Sequence, residues 1–396
     1  MQPTSVLATV TGRDRPGVTA AFFAALSAYD VDVRDVEQVV IRDRLILAVL
    51  FDLRGDSTAL RNSVTQAARA LGMECDVAVA DGVTRRAAYG SRSHVIVLGR
   101  PLRPGSLSHI AQRIADIGDN IESVAQLSVE PATSIEMIVR TNDQMQLRQM
   151  LVQAAEEVGV DVAVERAGLR RRAKRLVVLD VDSTLIRDEA IDVLAERAGV
   201  SEQVSAITER AMAGELDFAA SLRERVALLS GLPESEVYAV RDGLRLTPGA
   251  RTFVRTLHRL GYHVGVVSGS FSVFTDRFVD ELGLDFAAAN ELEIAHGKMT
   301  GKILGPIVDR AGKAEALERF AAQFGVPLSQ TVAVGDGAND IDMLEAAGLG
   351  IAFNAKAALR AAADTAVNLP FLDTVLFVLG IPRDEIDEPD EPDSLR

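Results

Sequence analysis

Two carboxylates stand two residues apart at the end of an apolar run, Asp180 and Asp182 in the stretch LVVLDVDSTL. Side chains alternate along a strand, so residues at this spacing can point into one site at the carboxyl edge of a sheet, where open α/β folds bind ligands. Two carboxylates held close together repel each other, so we expect a cation or a shared proton between them. The alternative is a capped helix start, with Asp182 or Ser183 as the cap, and the pair alone leaves both interpretations open.

Two further polar signals follow later in the chain. The segment Ser268-Gly269-Ser270 comes directly after HVGVV and offers a hydroxyl and flexible backbone N–H groups to an oxyanion, although Ser-Gly is also an ordinary turn sequence. Lys313 lies near a predicted helix start in DRAGKAEAL, where a lysine is ordinarily solvated. Neither signal indicates a binding site by itself.

A glycine-rich segment, GDGAND at positions 335–340, follows the apolar run TVAV. Its polar side chains, Asp336, Asn339 and Asp340, stand in a predicted strand-to-helix turn and suit the rim of a metal and phosphate site. The alternative is an Asx-capped turn. The four signals in this order, each at the end of an apolar strand or just before one, are far more specific than any one of them.

The elements that must position these residues begin at Leu176, where apolar strands alternate with amphipathic helices. Near-continuous apolar strands suit a parallel sheet buried on both faces, so we predict a Rossmann-like α/β domain. A largely helical segment between Thr184 and the turn LTPG is predicted to form a small cap. The predicted strands are 176–180, 263–269, 331–336 and 349–353.

The chain before this domain contains an internal repeat. The sequence RPG at 15–17 aligns with RPG at 103–105, and flanking apolar positions match at the same offset. Each copy reads strand, turn, helix, strand, strand, helix, strand, with the proline suited to the first turn of the helix. This order predicts two ferredoxin-like (βαββαβ) domains.

These patterns also predict the boundaries. The basic stretch RAGLRRRAKR at 166–175 is interpreted as a solvated linker. The predicted segments are ferredoxin-like domains at 1–84 and 92–167, a Rossmann-like domain at 174–382 with its cap at 187–245, and an acidic disordered tail at 383–396.

Composition excludes several kinds of partner. The formal net charge of −15 makes nucleic acid a poor candidate. Cys75 is the only cysteine, so no intramolecular disulfide is possible, which fits a reducing cytoplasm. The first residues lack the pattern of a signal peptide, and no stretch of about 18 apolar residues predicts a membrane span. We therefore expect a cytoplasmic protein that binds neither nucleic acid nor membrane.

The four chemical signals resemble the motifs of the haloacid dehalogenase-like phosphatases. The segment DVDST at 180–184 is similar to their first motif, Ser268 to the second, Lys313 to the third and 335–340 to the fourth. The resemblance implies that the first aspartate, Asp180, attacks phosphorus and forms an aspartyl-phosphate. It implies that the second, Asp182, protonates the leaving oxygen and then deprotonates the attacking water.

The same resemblance implies a set of ligands. One Mg²⁺ would be held by a carboxylate oxygen of Asp180, the main-chain carbonyl of Asp182 and a carboxylate oxygen of Asp336. Asp340 is implied to orient Lys313 or a metal-bound water. The residues implied to contact the phosphoryl group are Ser268, Gly269, Lys313 and Asn339. For Asn339 the alternative is that it orients water.

The predicted cap narrows the resemblance to the phosphoserine phosphatases. Glu189 in STLIRDE and Arg225 in SLRERV match the family's charged positions, and Met212 and Phe218 in AMAGELDF match its apolar ones. The resemblance implies that Glu189 binds the ammonium of phosphoserine and that Arg225 grips its carboxylate bidentately. Without this resemblance, Glu189 and Arg225 would be interpreted as surface charges of a helix that pair with neighbouring residues.

The repeats resemble ACT domains, which bind small ligands, often amino acids, at interfaces between copies. Gly17 and Gly105 are the matching positions where backbone N–H groups at a helix start could meet a ligand carboxylate. Asp14 could bind an ammonium, but the second copy has Leu102 there. We expect serine or a related amino acid as effector and a homodimer as the assembly; the alternative is a dimerisation domain without a ligand.

Two other functions remain open at this point. One keeps the chemistry and changes the substrate to another small phosphomonoester, which Glu189 and Arg225 argue against. The other is an amino-acid sensor whose phosphatase half only relays signals, for which loss of Asp180 or Asp182 would be the expected mark. The leading hypothesis is a phosphatase of serine synthesis, tuned by an amino acid at the repeats.

Overall fold

The computed structural model describes residues 3–79, 90–168, 171, 173–212 and 215–386. The chain divides into two compact units, Met1–Tyr89 and Gly90–Arg396. The first unit is one ferredoxin-like domain. The second contains the other ferredoxin-like domain together with a Rossmann-like domain, so the predicted fold class is confirmed.

The first ferredoxin-like domain has a four-stranded antiparallel sheet in the order β2-β3-β1-β4. Its elements are β1 (Thr4–Arg13), α1 (Val18–Leu26), β2 (Val31–Ile41), β3 (Arg44–Leu53), α2 (Ser57–Ala70) and β4 (Glu74–Val79). Side chains alternate along β1, so Val6, Ala8 and Val10 enter the core while Leu7 between them stays 39% exposed.

The second ferredoxin-like domain repeats this topology in the order β6-β7-β5-β8. Its elements are β5 (Ser91–Gly99), α3 (Pro104–Asp116), β6 (Asn120–Ser128), β7 (Thr133–Thr141), α4 (Gln144–Val158) and β8 (Asp161–Arg166). The two copies differ at the helix start. Helix α3 begins at Pro104, as predicted, whereas α1 begins after Gly17, which has a left-handed φ of 94°. A side chain at Gly17 would be strained, but one at Gly105 would not.

The Rossmann-like domain is built on a seven-stranded sheet in the order β12-β11-β10-β9-β13-β14-β15. All neighbours are parallel except β12, which runs antiparallel to β11. The strands are β9 (Leu176–Leu179), β10 (His263–Phe271), β11 (Phe286–Ala295), β12 (Lys298–Leu304), β13 (Thr331–Gly335), β14 (Gly350–Phe353) and β15 (Thr365–Val367). Every residue of β9, β13 and β14 is buried, which explains their continuous apolar sequences.

Helices cover both faces of this sheet and form the cap. The cap segment consists of α5 (Ala190–Ala198), α6 (Ser201–Met212), α7 (Phe218–Leu228) and α8 (Glu234–Gly243). The remaining helices are α9 (Ala250–Arg259), α10 (Ser272–Leu282), α11 (Arg310–Gln323), α12 (Ile341–Ala346), α13 (Ala357–Ala362) and α14 (Thr374–Val378). Among the described residues, none of these helices is long and apolar enough to cross a bilayer.

The second ferredoxin-like domain packs against the Rossmann-like domain through the sheet face that its own helices leave uncovered. Along β5, Val95 and Val97 face the domain's helices, while Ile96 and Leu98 belong to the same buried cluster as the Rossmann-like core. Strand β5 is therefore buried on both faces, unlike its counterpart β1 in the first unit.

Polar contacts also cross this junction. Asp161 accepts hydrogen bonds from the backbone and side-chain N–H groups of Asn368 at 2.8 and 2.7 Å. Arg148 Nη1 pairs with Asp364 Oδ1 at 2.9 Å, and Thr365 Oγ1 donates to the Val162 carbonyl. Apolar burial and paired polar groups together join residues 90–386 into one body.

The basic stretch at 166–175 does not behave as a solvated linker. Arg171 forms ion pairs with Glu136 and Glu165, each at 2.9 Å. Lys174 is only 4% exposed and donates to the Ser329 carbonyl at 3.3 Å. The interpretation as a solvated linker is wrong at Arg171 and Lys174, because both cations have partners at the junction between the two domains.

The last described residues also differ from the prediction. Residues Arg383–Glu385 form a 3₁₀ turn and Ile386 is buried, so the first four residues of the predicted disordered tail are ordered. Residues 387–396 lie outside the described residues.

Candidate active site

Three neighbouring strands bring the predicted motifs to one edge of the sheet. Leu179, the last residue of β9, is level with Val266 of β10 on one side and Val334 of β13 on the other. Asp180 follows at once, and its backbone N–H donates to the Val334 carbonyl at 2.9 Å. Because parallel strands end together, the residues at and just after their carboxyl ends meet at this edge.

The chain turns sharply after Asp180. Residues Val181–Leu185 form a wide turn in which Asp182 is extended and Ser183 is left-handed, with φ of 56°. This turn brings Asp182 back to the start of α5, where its Oδ1 accepts the Ala190 N–H at 2.9 Å. Ser183 donates to Glu189 Oε1 at 2.8 Å. The carboxylates of Asp182 and Glu189 are therefore each oriented by a hydrogen bond from a residue nearby in the chain.

Asp180 belongs to a buried charged cluster. Lys313 is fully buried, and its Nζ lies 2.7 Å from both Asp180 Oδ1 and Asp340 Oδ1. Asp180 Oδ1 also accepts the Val181 N–H at 2.7 Å. Since both contacts fall on Oδ1, the other carboxylate oxygen of Asp180 is the one that can face a substrate or a cation.

Asp340 is held by contacts to both of its oxygens. Oδ1 takes the Lys313 ammonium, and Oδ2 accepts the backbone N–H groups of Asp336 and Gly337 at 3.2 and 3.1 Å. Gly335 makes this possible, because a Cβ there would lie 2.4 Å from the Asp340 carboxylate. The predicted support of Lys313 by Asp340 is thus present as a direct contact.

The electrostatics of the site are those of an acidic cluster short of positive charge. Burial, followed by the nearby Asp340, raises the pKa of Asp180 well above its usual range despite Lys313. Burial and Glu189 raise the pKa of Asp182 to about 7, and burial and Asp340 raise the pKa of Asp336 to about 7. Burial alone would lower the pKa of Lys313, but Asp180 and Asp340 raise it above its usual value.

This cluster could bind a metal ion. Carboxylate oxygens of Asp180, Asp336 and Asp340 all lie within 4.8 Å of one another. Oxygen donors of this kind suit a hard divalent cation. The raised pKa values of Asp180 and Asp336 agree with such a site, because a cation would stabilise both in their charged forms.

A cavity of about 660 Å³ opens above the cluster. Its lining includes Asp180, Asp182 and Asp336, which we call the floor, and Glu189 and Arg225 from the cap, which we call the wall. Gly269 and Asn339, two of the residues that the resemblance implies contact the phosphoryl group, also line it. We call Ser268 and Gly269 the phosphate motif. Two predicted residues, Ser268 and Lys313, are fully buried behind this surface. The predicted catalytic and substrate residues described here thus lie together. Most of them line the cavity, and Ser268 and Lys313 are buried next to it.

Helix α7 provides the apolar and the cationic part of the cap wall. Phe218, Ser221, Leu222 and Arg225 recur at helical spacing and line the cavity. The Phe218 ring reaches the phosphate motif, since a Cβ on Gly269 would lie 2.8 Å from its Cζ. Burial lowers the pKa of Arg225, an effect opposed by Asp192 and Glu189. Met212 is the last residue of α6, and its side chain lies outside the described residues.

The cavity also contains residues that the motifs did not reveal. Arg310, three residues before Lys313, lines it and pairs with Asp342. Lys356 lines it from the start of α13, and its backbone N–H donates to the Asp336 carbonyl at 3.1 Å. Ser221 stands within the SLRERV segment and Ser270 directly follows Gly269, so both were adjacent to residues that the sequence did single out.

Comparison with known families agrees with this geometry. The haloacid dehalogenase-like hydrolase family matches residues 177–345, and two ACT domain families match residues 4–78 and 91–165. Fold and site together therefore define a haloacid dehalogenase-like hydrolase that carries two ACT domains.

Full-length relatives narrow the class. The chain is 54% identical over 388 residues to the phosphoserine phosphatase of Streptomyces coelicolor, covering 98% of this chain and 94% of that protein. It is 52% identical over 396 residues to the phosphoserine phosphatase SerB2 of Mycobacterium tuberculosis, covering 98% and 96%. A solved structure of a phospho-aspartyl intermediate analogue of phosphoserine phosphatase is 44% identical, covers 52% of this chain and 98% of its own, and superimposes with a TM-score of 0.50. The chain belongs to the phosphoserine phosphatase family, as its motifs predicted.

Proposed function

We propose that this chain hydrolyses O-phosphoserine to serine and phosphate through an aspartyl-phosphate, as the last step of serine biosynthesis. The observation that carries the proposal is one cavity with Asp180 and Asp182 on its floor and with one acidic and one basic side chain, Glu189 and Arg225, on its wall. Phosphoserine has a phosphate for the floor and an ammonium and a carboxylate for the wall.

Asp180 is the proposed nucleophile. Lys313 and the Val181 N–H hold its Oδ1, which leaves Oδ2 as the oxygen for the attack. Attack by this oxygen on phosphorus forms the P–O bond to the enzyme as the bond to the seryl oxygen breaks. Fixing the nucleophile before the substrate arrives removes an entropic part of the barrier.

Asp182 is the proposed general acid and base. Its pKa of about 7 lets it carry a proton near neutral pH, and the Ala190 N–H fixes its orientation. Asp182 gives that proton to the departing seryl oxygen. The resulting carboxylate then takes a proton from the water that hydrolyses the aspartyl-phosphate, so the residue ends in its starting state.

One Mg²⁺ fits the acidic cluster. The residues that would hold it are Asp180 and Asp336 through their carboxylates and Asp182 through its main-chain carbonyl. Asp340 is a less suitable ligand, because both of its oxygens already accept hydrogen bonds. Mg²⁺ bound there would offset the negative charge of the phosphoryl oxygens.

The remaining residues are proposed to orient the two ends of the substrate. The Gly269 N–H and Asn339 would contact the phosphoryl oxygens from the cavity surface. Ser268 and Lys313 stand behind it; the Ser268 hydroxyl accepts the Ser270 N–H at 2.9 Å and so shapes the loop.

At the cap, Glu189 is proposed to bind the substrate ammonium and Arg225 its carboxylate. Phe218 and Met212 are proposed to cover the substrate. The Phe218 ring already lies against Gly269, beside the proposed position of the phosphoryl group.

The ACT domains are proposed to bind serine or a related amino acid and to mediate dimerisation. Gly17 lies at a helix start with open space around it, and Gly105 lies in the first turn of the equivalent helix. Asp14 lies three residues before Gly17 and would bind the ammonium in the first copy. These residues supply backbone N–H groups that suit a carboxylate.

Exposed sheet edges support the homodimer. Strand β2 is exposed along most of its length, with Val39 and Ile41 at 50% and 61%, and Val124 on β6 is 59% exposed. Open edges with apolar side chains favour pairing with another strand, and a second copy offers the same edges. A biosynthetic role and one free cysteine, Cys75, favour a cytoplasmic location.

The test is a turnover assay with purified protein and Mg²⁺ on a panel of small phosphomonoesters. Phosphoserine should have the highest kcat/KM, and chelation should remove activity that added Mg²⁺ restores. A higher kcat/KM for another phosphomonoester would support the alternative substrate. Binding of amino acids without turnover of any ester would support the sensor hypothesis.

A further inference from the structure

A buried hydroxyl in the catalytic cavity has no partner. Ser221 is only 2% exposed, and its Oγ has no hydrogen-bond acceptor or donor within the described part of the chain. The residue lines the cavity from α7. Buried hydroxyls are normally hydrogen-bonded, so an unpaired one at a ligand cavity needs an explanation.

The usual local solution for a hydroxyl inside a helix is not used here. Serine and threonine in helices commonly donate to the carbonyl four residues earlier. Thr208 does so in the neighbouring helix α6, where it lines the same cavity and donates to Val204 at 3.0 Å. For Ser221 the equivalent carbonyl, that of Asp217, accepts the Ser221 backbone N–H, and the Ser221 hydroxyl does not bond to it. Within the described residues the buried Ser221 hydroxyl therefore has no partner, and a ligand in the cavity that Ser221 lines can supply one.

Its place on the helix indicates which part of the ligand it meets. Phe218, one turn earlier, packs on Gly269 of the phosphate motif, and Arg225 lies one turn later on the same face. The Arg225 Nε donates to the Ser221 carbonyl, which ties the two residues together. Ser221 thus stands between the phosphate end of the cavity and its guanidinium.

We propose that the Ser221 hydroxyl donates a hydrogen bond to the α-carboxylate of the substrate beside Arg225, and so contributes to selection of phosphoserine. This inference rests on the proposed function. A carboxylate has about four acceptor positions, and a bidentate guanidinium uses two of them. A hydroxyl on the same helix face can occupy a third. The ammonium has its own acceptor in Glu189, which the Ser183 hydroxyl already orients.

The experiment compares two substrates that differ in the carboxylate. Ser221→Ala and Ser221→Cys both remove the hydroxyl, and the cysteine keeps a side chain of similar shape with a weak donor. For phosphoserine we expect kcat/KM to fall about tenfold, mostly through KM, because the contact is to a part of the substrate that does not react. For phosphoethanolamine, which lacks the carboxylate, kcat/KM should stay within about twofold of the wild-type value.

Ser134→Ala is the matched control. Ser134 is also fully buried with an unpaired hydroxyl, but it lies on β7 of the second ACT domain. Its substitution should change neither substrate. Thermal unfolding of each variant identifies any loss of fold, and the cysteine variant decides the question if the alanine variant does not fold.

Three results are distinguishable. Selective loss on phosphoserine supports the proposal. Equal losses on both substrates, or no loss on either, would overturn it while leaving phosphoserine hydrolysis intact. Failure of the wild type to hydrolyse phosphoserine would instead refute the proposed function.

Discussion

Replacing Lys313 by methionine tests the buried cluster at the centre of the site. The lysine is fully buried and lies 2.7 Å from two carboxylates, those of Asp180 and Asp340. Methionine is of similar length and apolar, so the substitution removes the charge without leaving a large cavity. Two buried carboxylates then share a site without their cation.

The expected loss of stability is large. Each charge-assisted hydrogen bond contributes about 1.5–3 kcal/mol, and breaking a buried ion pair by removing one partner typically costs about 3–5 kcal/mol. We therefore expect Lys313→Met to lower the free energy of unfolding by about 3–5 kcal/mol in the absence of metal.

The loss should depend on pH. Burial already raises the pKa of Asp180 well above its usual range, and the substitution removes Lys313, the cation that opposes this rise. The folded variant then binds more protons than the unfolded chain over the range above about pH 4, so its stability falls as pH rises. The deficit relative to wild type should be larger at about pH 8 than at about pH 5.5.

Urea unfolding of the two proteins in chelator, followed by circular dichroism at both pH values, measures this difference. Lys302→Met, at an exposed lysine on β12, is the control and should change stability by less than about 0.5 kcal/mol. A deficit below about 1 kcal/mol for Lys313→Met, or one that grows towards acid pH, would refute the account of the cluster.

Four further predictions follow from the proposed roles. Asp180→Asn should fold but lose turnover, measured as phosphate release, and substantial residual activity would contradict covalent catalysis. Arg225→Ala should lower kcat/KM for phosphoserine about ten- to a hundredfold more than for an aryl phosphate; equal loss would assign it a structural role. Because burial raises the pKa values of Asp182 and Asp336 to about 7, the metal-free protein should lose stability as pH rises through that value, and Mg²⁺ should stabilise it more at about pH 8 than at about pH 5.5. Gly17→Val in an Asp180→Asn background should weaken serine binding in calorimetric titration, and unchanged affinity would argue against that effector site.

The central strands of the sheet could be predicted from the sequence because their apolar composition indicates that they are buried. Strands β9, β13 and β14 are buried on both faces and read as unbroken apolar runs. Strands β11 and β12 are mixed in burial and β15 has three residues, so none of them carried such a signal. The site followed from the strands, because residues after adjacent parallel strands must meet.

The burial of individual polar side chains could not be predicted from the sequence. Lys313 and Lys174 are both buried, although lysine is rarely so, because each has partners from segments distant in the chain. Ser268 stands behind the cavity surface while Gly269 lies on it. Whether a motif residue faces a ligand or supports one that does depends on side-chain packing across elements, which a motif does not record.

The burial of β5 on both faces changes where this chain can be cut. A fragment that starts at the predicted boundary, residue 174, would expose the apolar surface that Ile96 and Leu98 cover and would leave Asn368 without Asp161. A fragment that starts near residue 90 would keep both sets of contacts. The two copies of the duplicated module are therefore not interchangeable: the second has become part of the catalytic body, and the smallest piece of this chain expected to unfold cooperatively as a phosphatase includes it.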